Sequence, residues 1–252
     1  MRRSLRNRLA AVLALSLGGG LPAAVSAAHA ASPLVDQLRA VAPAANPDVL
    51  GLAARAAECA RRQGLLDGLN HLAVIDYSLP STQPRLWVFD LRRQRLLFEE
   101  LVAHGRNTGE GSAERFSNVE GSKMSSIGLY QTGDTYYGSN GYSLRLRGLD
   151  PGFNDNALPR AIVMHGAPYV SQAIAERLGR LGRSWGCPAL RPEVARTVID
   201  TLKGGALLFA YYPDRKWLDE SPFFKCDDDG AADAAKPVVA AARSAPPKPN
   251  RG

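Results

Sequence analysis

Long apolar segments are nearly absent from this chain of 252 residues. Only residues 9–17 form a sustained apolar run, and it is shorter than the roughly 20 residues that a membrane-spanning helix needs. No second long apolar segment follows it. The sequence therefore predicts no integral membrane segment in the mature protein.

A nucleic-acid-binding pattern is also missing. The net charge is +7, but Arg2, Arg3, Arg6 and Arg8 supply four of those charges, which leaves 7 − 4 = +3 for the remainder. Basic residues do not alternate with aromatic residues in any stripe, and no zinc-finger or RNA-recognition motif occurs. We expect no nucleic-acid partner and at most a slight attraction to an anionic cell wall or membrane surface.

Metal-binding patterns are equally scarce among the four histidines. His71, His104 and His165 belong to no H-E-x-x-H or H-x-x-E-H motif. The sequence predicts no metal site and implies no cofactor.

The first 31 residues have the organisation of a secretory signal. Four arginines precede the apolar run, and small residues then offer cleavage after Val25-Ser26-Ala27 or Ala28-His29-Ala30. A disordered basic N-terminus is the alternative. We predict a signal peptide over residues 1–31 and export to the periplasm.

Three cysteines occur, and an oxidising compartment tends to pair thiols. Cys59 and Cys226 could form one disulfide and leave Cys187 free. Alternatively, Cys59 is a buried apolar residue and Cys226 a free surface thiol. The sequence leaves both open.

The periodicity between these ends predicts a mainly β (α+β) domain over residues 70–226, preceded by a helical segment over residues 32–69. Residues 227–252 lack apolar periodicity and predict a disordered Ala/Pro/Lys tail. Residues 134–141 fit either a mobile loop over a substrate or a hairpin turn. Three helices are predicted, at 49–62 with Asp48 as a candidate cap, at 170–181, and from 192 to the glycines at 204–205. Strands are predicted at 71–77, 85–90, 95–103, 126–132, 143–149, 161–165 and 206–212.

A candidate nucleophile and base stand at residues 184–188, Ser-Trp-Gly-Cys-Pro, and at His165-Gly166. Cys187 offers a thiol, and His165 ends a buried strand from which it could form an imidazolium–thiolate pair. The Gly166 carbonyl is a candidate to orient the imidazole. Because Pro188 has no N–H, an oxyanion hole would draw on the amides of Cys187, Gly186 and Trp185.

These motifs resemble the L,D-transpeptidase catalytic domain family, also called YkuD-like. Similar stretches lie at 76–81, 102–107, 116–118, 125–128 and 182–190, so the likeness spans roughly residues 70 to 213. The resemblance implies an L,D-transpeptidase-like mixed β-sheet or sandwich domain with a few packing helices. It also implies that a cysteine attacks the amide between a stem-peptide residue, commonly meso-diaminopimelate, and D-alanine, and that carbapenem-type β-lactams acylate this cysteine.

Carried over by position, the resemblance makes Cys187 the nucleophile, His165 the base and acid, and Gly166 the orienting carbonyl. This chain is a divergent branch, because Trp185 stands where the family usually has histidine or arginine, and Leu190 replaces a common polar residue. Arg183, together with Ser184, is therefore a candidate for recognising a stem carboxylate.

Three functions remain open. An L,D-transpeptidase would join the acyl group to an amine of another stem peptide or of a wall-attached acceptor protein. An L,D-carboxypeptidase would pass the same thioester to water. A non-catalytic wall-binding module would hold Cys187 buried or in a disulfide.

Overall fold

The computed structural model describes residues 32–66 and 68–226. The predicted signal peptide and the predicted disordered tail lie outside the described residues. Within the described ranges, no helix is both long enough and apolar enough to cross a membrane.

Nine strands of the described chain form one mixed sheet in the order β3-β2-β1-β9-β5-β6-β7-β8-β4. The strands at its two ends, β3 and β4, are consecutive in the chain with only Leu101 between them, so the sheet is nearly closed, like a barrel. The predicted mainly β class is confirmed. The strands are β1 His71–Asp76, β2 Leu86–Asp90, β3 Arg95–Glu100, β4 Val102–Ala103, β5 Gly128–Gly138, β6 Gly141–Gly148, β7 Val163–Gly166, β8 Ala189–Leu190 and β9 Leu207–Tyr211.

Both faces of the central strands are apolar. In β1, Leu72 and Val74 pack into one buried cluster, whereas Ala73 and Ile75 pack into another on the opposite face. Successive side chains of a strand point to opposite faces, so this continuous apolar run requires cover on both sides.

Helices supply that cover on each face. The described helices are α1 Pro33–Val41, α2 Pro47–Arg62, α3 Gln172–Leu178, α4 Pro192–Leu202 and α5 Arg215–Glu220. Helices α1 and α2 pack in the cluster that contains Leu72, and α4 packs in the cluster that contains Ala73.

Capping residues explain where the helices differ from the prediction. Helix α2 begins two residues earlier than predicted because the Asn46 side chain, rather than Asp48, accepts a backbone N–H and caps it. Helix α3 is shorter than predicted, since Ser171 caps its start and Gly179 ends it in the left-handed region, with φ of 67°.

A disulfide joins Cys59 of α2 to Cys226, with 5.7 Å between the Cα atoms. Cys187 is the free cysteine of the described residues. Of the two arrangements that the sequence left open, the structure contains the paired one.

This disulfide closes a loop with a sequence separation of 167, so it restricts the unfolded chain strongly. We expect Cys59→Ala/Cys226→Ala to lower the free energy of unfolding by about 2 to 5 kcal/mol. Urea denaturation measures the difference, with Cys187→Ala as the matched control that keeps the disulfide. Equal midpoints for the double variant and the native protein would contradict the expectation.

Candidate active site

Strands β7 and β8 bring the predicted nucleophile and base into one region. They pair in parallel, with His165 opposite Ala189 and Gly166 opposite Leu190. The backbone N–H of His165 also lies 3.4 Å from the carbonyl oxygen of Pro188. This register places His165 beside the residues that directly follow Cys187.

A cleft of about 350 Å³ opens at this position. Two of its residues form the turn of the β5–β6 hairpin, so residues 134–141 belong to a hairpin rather than to a separate loop. Gly166 and Gly186 adjoin the lining residues in sequence. The cleft is lined by Ser139, Asn140, His165, Tyr169, Arg183, Ser184, Trp185 and Cys187.

Ser184 shapes the loop that carries the thiol. Its buried hydroxyl accepts the N–H of Gly186 at 3.0 Å and donates to the carbonyl of Cys187 at 2.6 Å. The hydroxyl hydrogen is therefore already in use. The Ser184 hydroxyl thus closes the turn before Cys187 while Ser184 also lines the cleft, and substrate binding by Ser184 remains a prediction.

The same hydrogen bond reduces the number of backbone N–H groups that could form the expected oxyanion hole. The Gly186 N–H is directed at Ser184 and is not free for a substrate oxygen. The N–H of Cys187 lowers the pKa of its own thiol, so it lies close to the sulfur that would carry the reacting carbon. Within the described part of the chain, the Trp185 N–H donates to no residue, which leaves Trp185 and Cys187 as the candidate donors of the predicted three.

Arg183 also has partners of its own. Its Nη1 donates to the carbonyls of Arg106 at 3.0 Å and Gly109 at 3.1 Å, and it forms an ion pair with Glu110 at 2.7 Å. A substrate carboxylate would have to compete with Glu110. Arg183 therefore braces residues 106–110 and also lines the cleft, and recognition of a stem carboxylate by Arg183 remains a prediction.

Cys187 is only 7% exposed, and its thiol lies against the turn before β7. Its sulfur accepts the N–H of Val163 at 3.5 Å, and the thiol donates to the carbonyl of Ala161 at 3.7 Å. Ala161 has a φ of 53°, a left-handed conformation that is uncommon for alanine and that clusters at functional sites. Burial raises the pKa of the Cys187 thiol above its ordinary value, and the Val163 N–H opposes this only in part.

The imidazole of His165 is fixed by its own strand. Its Nδ1 lies 2.9 Å from the carbonyl oxygen of Gly166, so Nδ1 carries the hydrogen and Nε2 has a free lone pair. Burial lowers the pKa of His165, and the Gly166 contact acts in the opposite direction. Burial therefore disfavours the charged form of both groups, the imidazolium of His165 and the thiolate of Cys187, in the resting protein.

Trp185 is the most exposed large apolar side chain of the described residues, at 71%. It lies at the cleft, and the ammonium nitrogen of Lys123 lies 5.1 Å from the centroid of its ring. An aromatic ring beside a lysine therefore forms part of the rim next to the thiol.

Sequence reasoning missed three residues around the thiol. Tyr169 lines the cleft, Ser125 Oγ donates to the Gly186 carbonyl at 3.0 Å, and Arg160 interacts electrostatically with Cys187. Ser125 stood in a stretch that carried the family resemblance, which was a usable signal. Tyr169 and Arg160 stood in no motif.

No group of three or more His, Cys, Asp and Glu side chains in the described ranges could hold a metal ion. The chemistry available to these residues is that of a thiol nucleophile, an imidazole and backbone amides.

Comparisons with known proteins identify similar sequences and folds. Residues 41–211 match the family model of the L,D-transpeptidase catalytic domain. A comparison with curated proteins finds no match.

Several solved structures are similar at low identity. An L,D-transpeptidase from Mycobacterium smegmatis is 14% identical over 57% of this chain and 60% of its own, with a TM-score of 0.35. L,D-transpeptidase 1 from Mycobacterium tuberculosis is 13% identical over 57% and 63%, with a TM-score of 0.33. An L,D-transpeptidase from Stackebrandtia nassauensis is 14% identical over 66% and 67%, with a TM-score of 0.34. This chain spans about three fifths of the length of the two mycobacterial proteins.

Proposed function

Since this chain belongs to the L,D-transpeptidase catalytic domain family, we propose that it is a peptidoglycan-modifying cysteine acyltransferase. Its donor is a stem tetrapeptide, its leaving group is D-alanine, and its acceptor is an amine of a second stem peptide. The observation that carries the proposal is that the free thiol of Cys187 and the oriented imidazole of His165 line the same cleft.

Acylation begins with both groups neutral. As the sulfur attacks the amide carbonyl carbon, the thiol proton leaves the Ala161 carbonyl and moves to His165 Nε2, because Nδ1 already donates to Gly166. A carbon–sulfur bond forms, and the carbonyl oxygen becomes an oxyanion. The amides of Trp185 and Cys187 are the proposed donors to that oxygen.

The tetrahedral intermediate then collapses. The carbon–nitrogen bond breaks, the His165 imidazolium returns its proton to the leaving amine, and D-alanine departs. The product is a thioester between Cys187 and the stem residue, with His165 neutral again.

Transfer is the reverse sequence with a different amine. The acceptor amine attacks the thioester carbonyl and gives a proton to His165, the carbon–sulfur bond breaks, and the proton returns to the sulfur. Water in place of the amine would yield a carboxylic acid, so the acceptor that reaches the cleft decides between transfer and hydrolysis.

The compartment that we propose is the periplasm. The signal-like residues 1–31 favour export. The Cys59–Cys226 disulfide gives independent support, because structural disulfides persist mainly in oxidising compartments. Cys187 escapes this pairing and remains available as a nucleophile.

The function is tested by product analysis. We expect the purified exported protein, incubated with a disaccharide-tetrapeptide, to yield a crosslinked dimer and free D-alanine in mass spectrometry. The Cys187→Ala variant, which keeps the cleft and loses the nucleophile, should yield neither.

Other products would change the assignment. Tripeptide without dimer would assign the hydrolase. Absence of products together with absence of a thioester mass on Cys187 would contradict the proposal.

A further inference from the structure

The guanidinium of Arg160 is half-buried beside the thiol loop, and its neighbours are unusual for a cation. Its Nη1 and Nη2 each donate to a backbone carbonyl at 2.7 Å, those of Ser117 and Met124 respectively. Nη2 also donates to Ser122 Oγ at 3.2 Å, and Nη1 donates to Ser126 Oγ. All four acceptors are uncharged, so they satisfy its hydrogen bonds and leave its positive charge uncompensated.

The residues that accept hydrogen bonds from Arg160 lie next to the loop that carries Cys187. A Cβ atom at Gly186 would lie 2.7 Å from the Met124 carbonyl oxygen, so these two backbones are in contact. The neighbouring Ser125 donates its hydroxyl to the Gly186 carbonyl at 3.0 Å. Residues 117–126 thus lie between the guanidinium and the turn that precedes Cys187.

The residues that follow Arg160 in the chain contact the thiol directly. Ala161, the next residue, accepts the thiol hydrogen of Cys187 through its carbonyl. Val163 donates its N–H to the same sulfur at 3.5 Å. The segment that directly follows Arg160, at the end of this turn, therefore forms the wall on which the sulfur rests.

We propose that Arg160 is a positioning residue whose fixed positive charge stabilises the Cys187 thiolate as it forms. The proposal deepens the proposed function, since it concerns the same nucleophile. It predicts a property of the free thiol, however, which can be measured without any peptidoglycan substrate.

The other groups facing the thiol do not supply this charge. Burial disfavours the charged form of His165, and it raises the pKa of Tyr169 and of Tyr77 to about 12, so neither tyrosine is ionised near neutral pH. The ammonium group of Lys123 lies over the ring of Trp185. Of the cations in the described residues, Arg160 is the one whose charge lowers the pKa of the Cys187 thiol, and its hydrogen bond to Met124 holds it behind the loop that carries this thiol.

The test compares Arg160→Met with the native full-length protein. The rate of Cys187 alkylation by iodoacetamide is followed by mass spectrometry across pH, and thiolate absorbance near 240 nm is followed with Cys187→Ala as the blank. We expect the inflection of both profiles to move to higher pH and the alkylation rate at pH 7 to fall by about tenfold, which corresponds to one pKa unit.

Matched variants separate charge from shape. Ser122→Ala removes one contact of the guanidinium and keeps its charge, so its inflection should stay at the native pH. Arg147→Met removes an exposed arginine of β6 and should also leave the profile unchanged. Arg160→Lys keeps a positive charge and should shift the inflection less than methionine does.

If Arg160 only maintained the conformation of the Cys187 loop, its replacement would give a different result. Loosening the loop would change the limiting alkylation rate at high pH and leave the inflection where it is. An unshifted inflection in folded Arg160→Met would overturn the proposal, and Arg160→Gln, which can still donate to the carbonyls, serves if the methionine variant does not fold. Because alkylation needs no acyl donor, the result stands whether or not the protein crosslinks peptidoglycan.

Discussion

Replacement of His165 by glutamine is expected to slow acylation of Cys187 by roughly 10²- to 10⁴-fold at pH 7, the usual contribution of a general base. The large effect follows from the neutral resting state. Burial raises the pKa of the thiol, so few molecules are ionised at neutral pH and attack requires that the proton be removed at that moment. Glutamine keeps a polar side chain of similar length but cannot accept this proton.

The pH dependence gives the prediction its sharpest form. As pH rises through the pKa of the thiol, which burial places above its ordinary value of 9.0, the sulfur ionises without help. The deficit of His165→Gln should therefore shrink above about pH 9. In the native protein, the acid limb of the profile of acylation rate against pH should lie below pH 6.5, because burial lowers the pKa of His165.

Acylation by a carbapenem, followed by mass spectrometry from pH 5 to 10, measures both effects. His71→Gln at the start of β1 is the matched control and should react at the native rate. A deficit that is constant across this range would contradict the base role and would indicate that His165 only supports the shape of the cleft.

The sequence-based prediction succeeded where a signal was local and repeated. The apolar runs at 71–77 and 206–212 are long enough to identify strands, and they correspond to β1 and β9. The likeness around Cys187 and His165 similarly indicated the family, because both the residue types and their spacing were distinctive.

Short pairings escaped the prediction. Strand β8 contains only Ala189 and Leu190, too few residues for any periodicity, yet its pairing with β7 places His165 beside the thiol loop. Such a strand is defined by its partner rather than by its own sequence.

The hydrogen-bond and ion-pair partners of individual side chains could not be predicted either. The sequence does not reveal that Arg183 pairs with Glu110 or that Ser184 accepts the N–H of Gly186. Arg160 was missed for a different reason. A single arginine before a strand has no distinguishing pattern, and its importance arises from residues 117–126, which are distant in the chain.

Gly186→Ala is the second substitution for which we expect a large effect. Gly186 has a φ of 127°, which L-residues rarely adopt, and an added Cβ would lie 2.7 Å from the Met124 carbonyl oxygen and 2.9 Å from Ile162 Cδ1. Backbone strain of this type costs about 1 to 3 kcal/mol. Overpacking a tight site adds a similar amount, about 1 to 3 kcal/mol.

The added methyl group cannot be accommodated without moving the loop, because one of its two neighbours is backbone and not a flexible side chain. A displacement of about 1 Å at a reacting group can lower a rate by roughly 10²-fold, so we expect carbapenem acylation to fall at least that far.

Gly64→Ala is the matched control, since Gly64 also has a positive φ, 68°, but has no atom within 4 Å of the added Cβ. It should lose only about 1 to 2 kcal/mol of stability and no activity. Acylation of Gly186→Ala within twofold of the native rate would show that the loop can shift without displacing the sulfur, and would contradict the view that contact between Met124 and Gly186 fixes the position of Cys187.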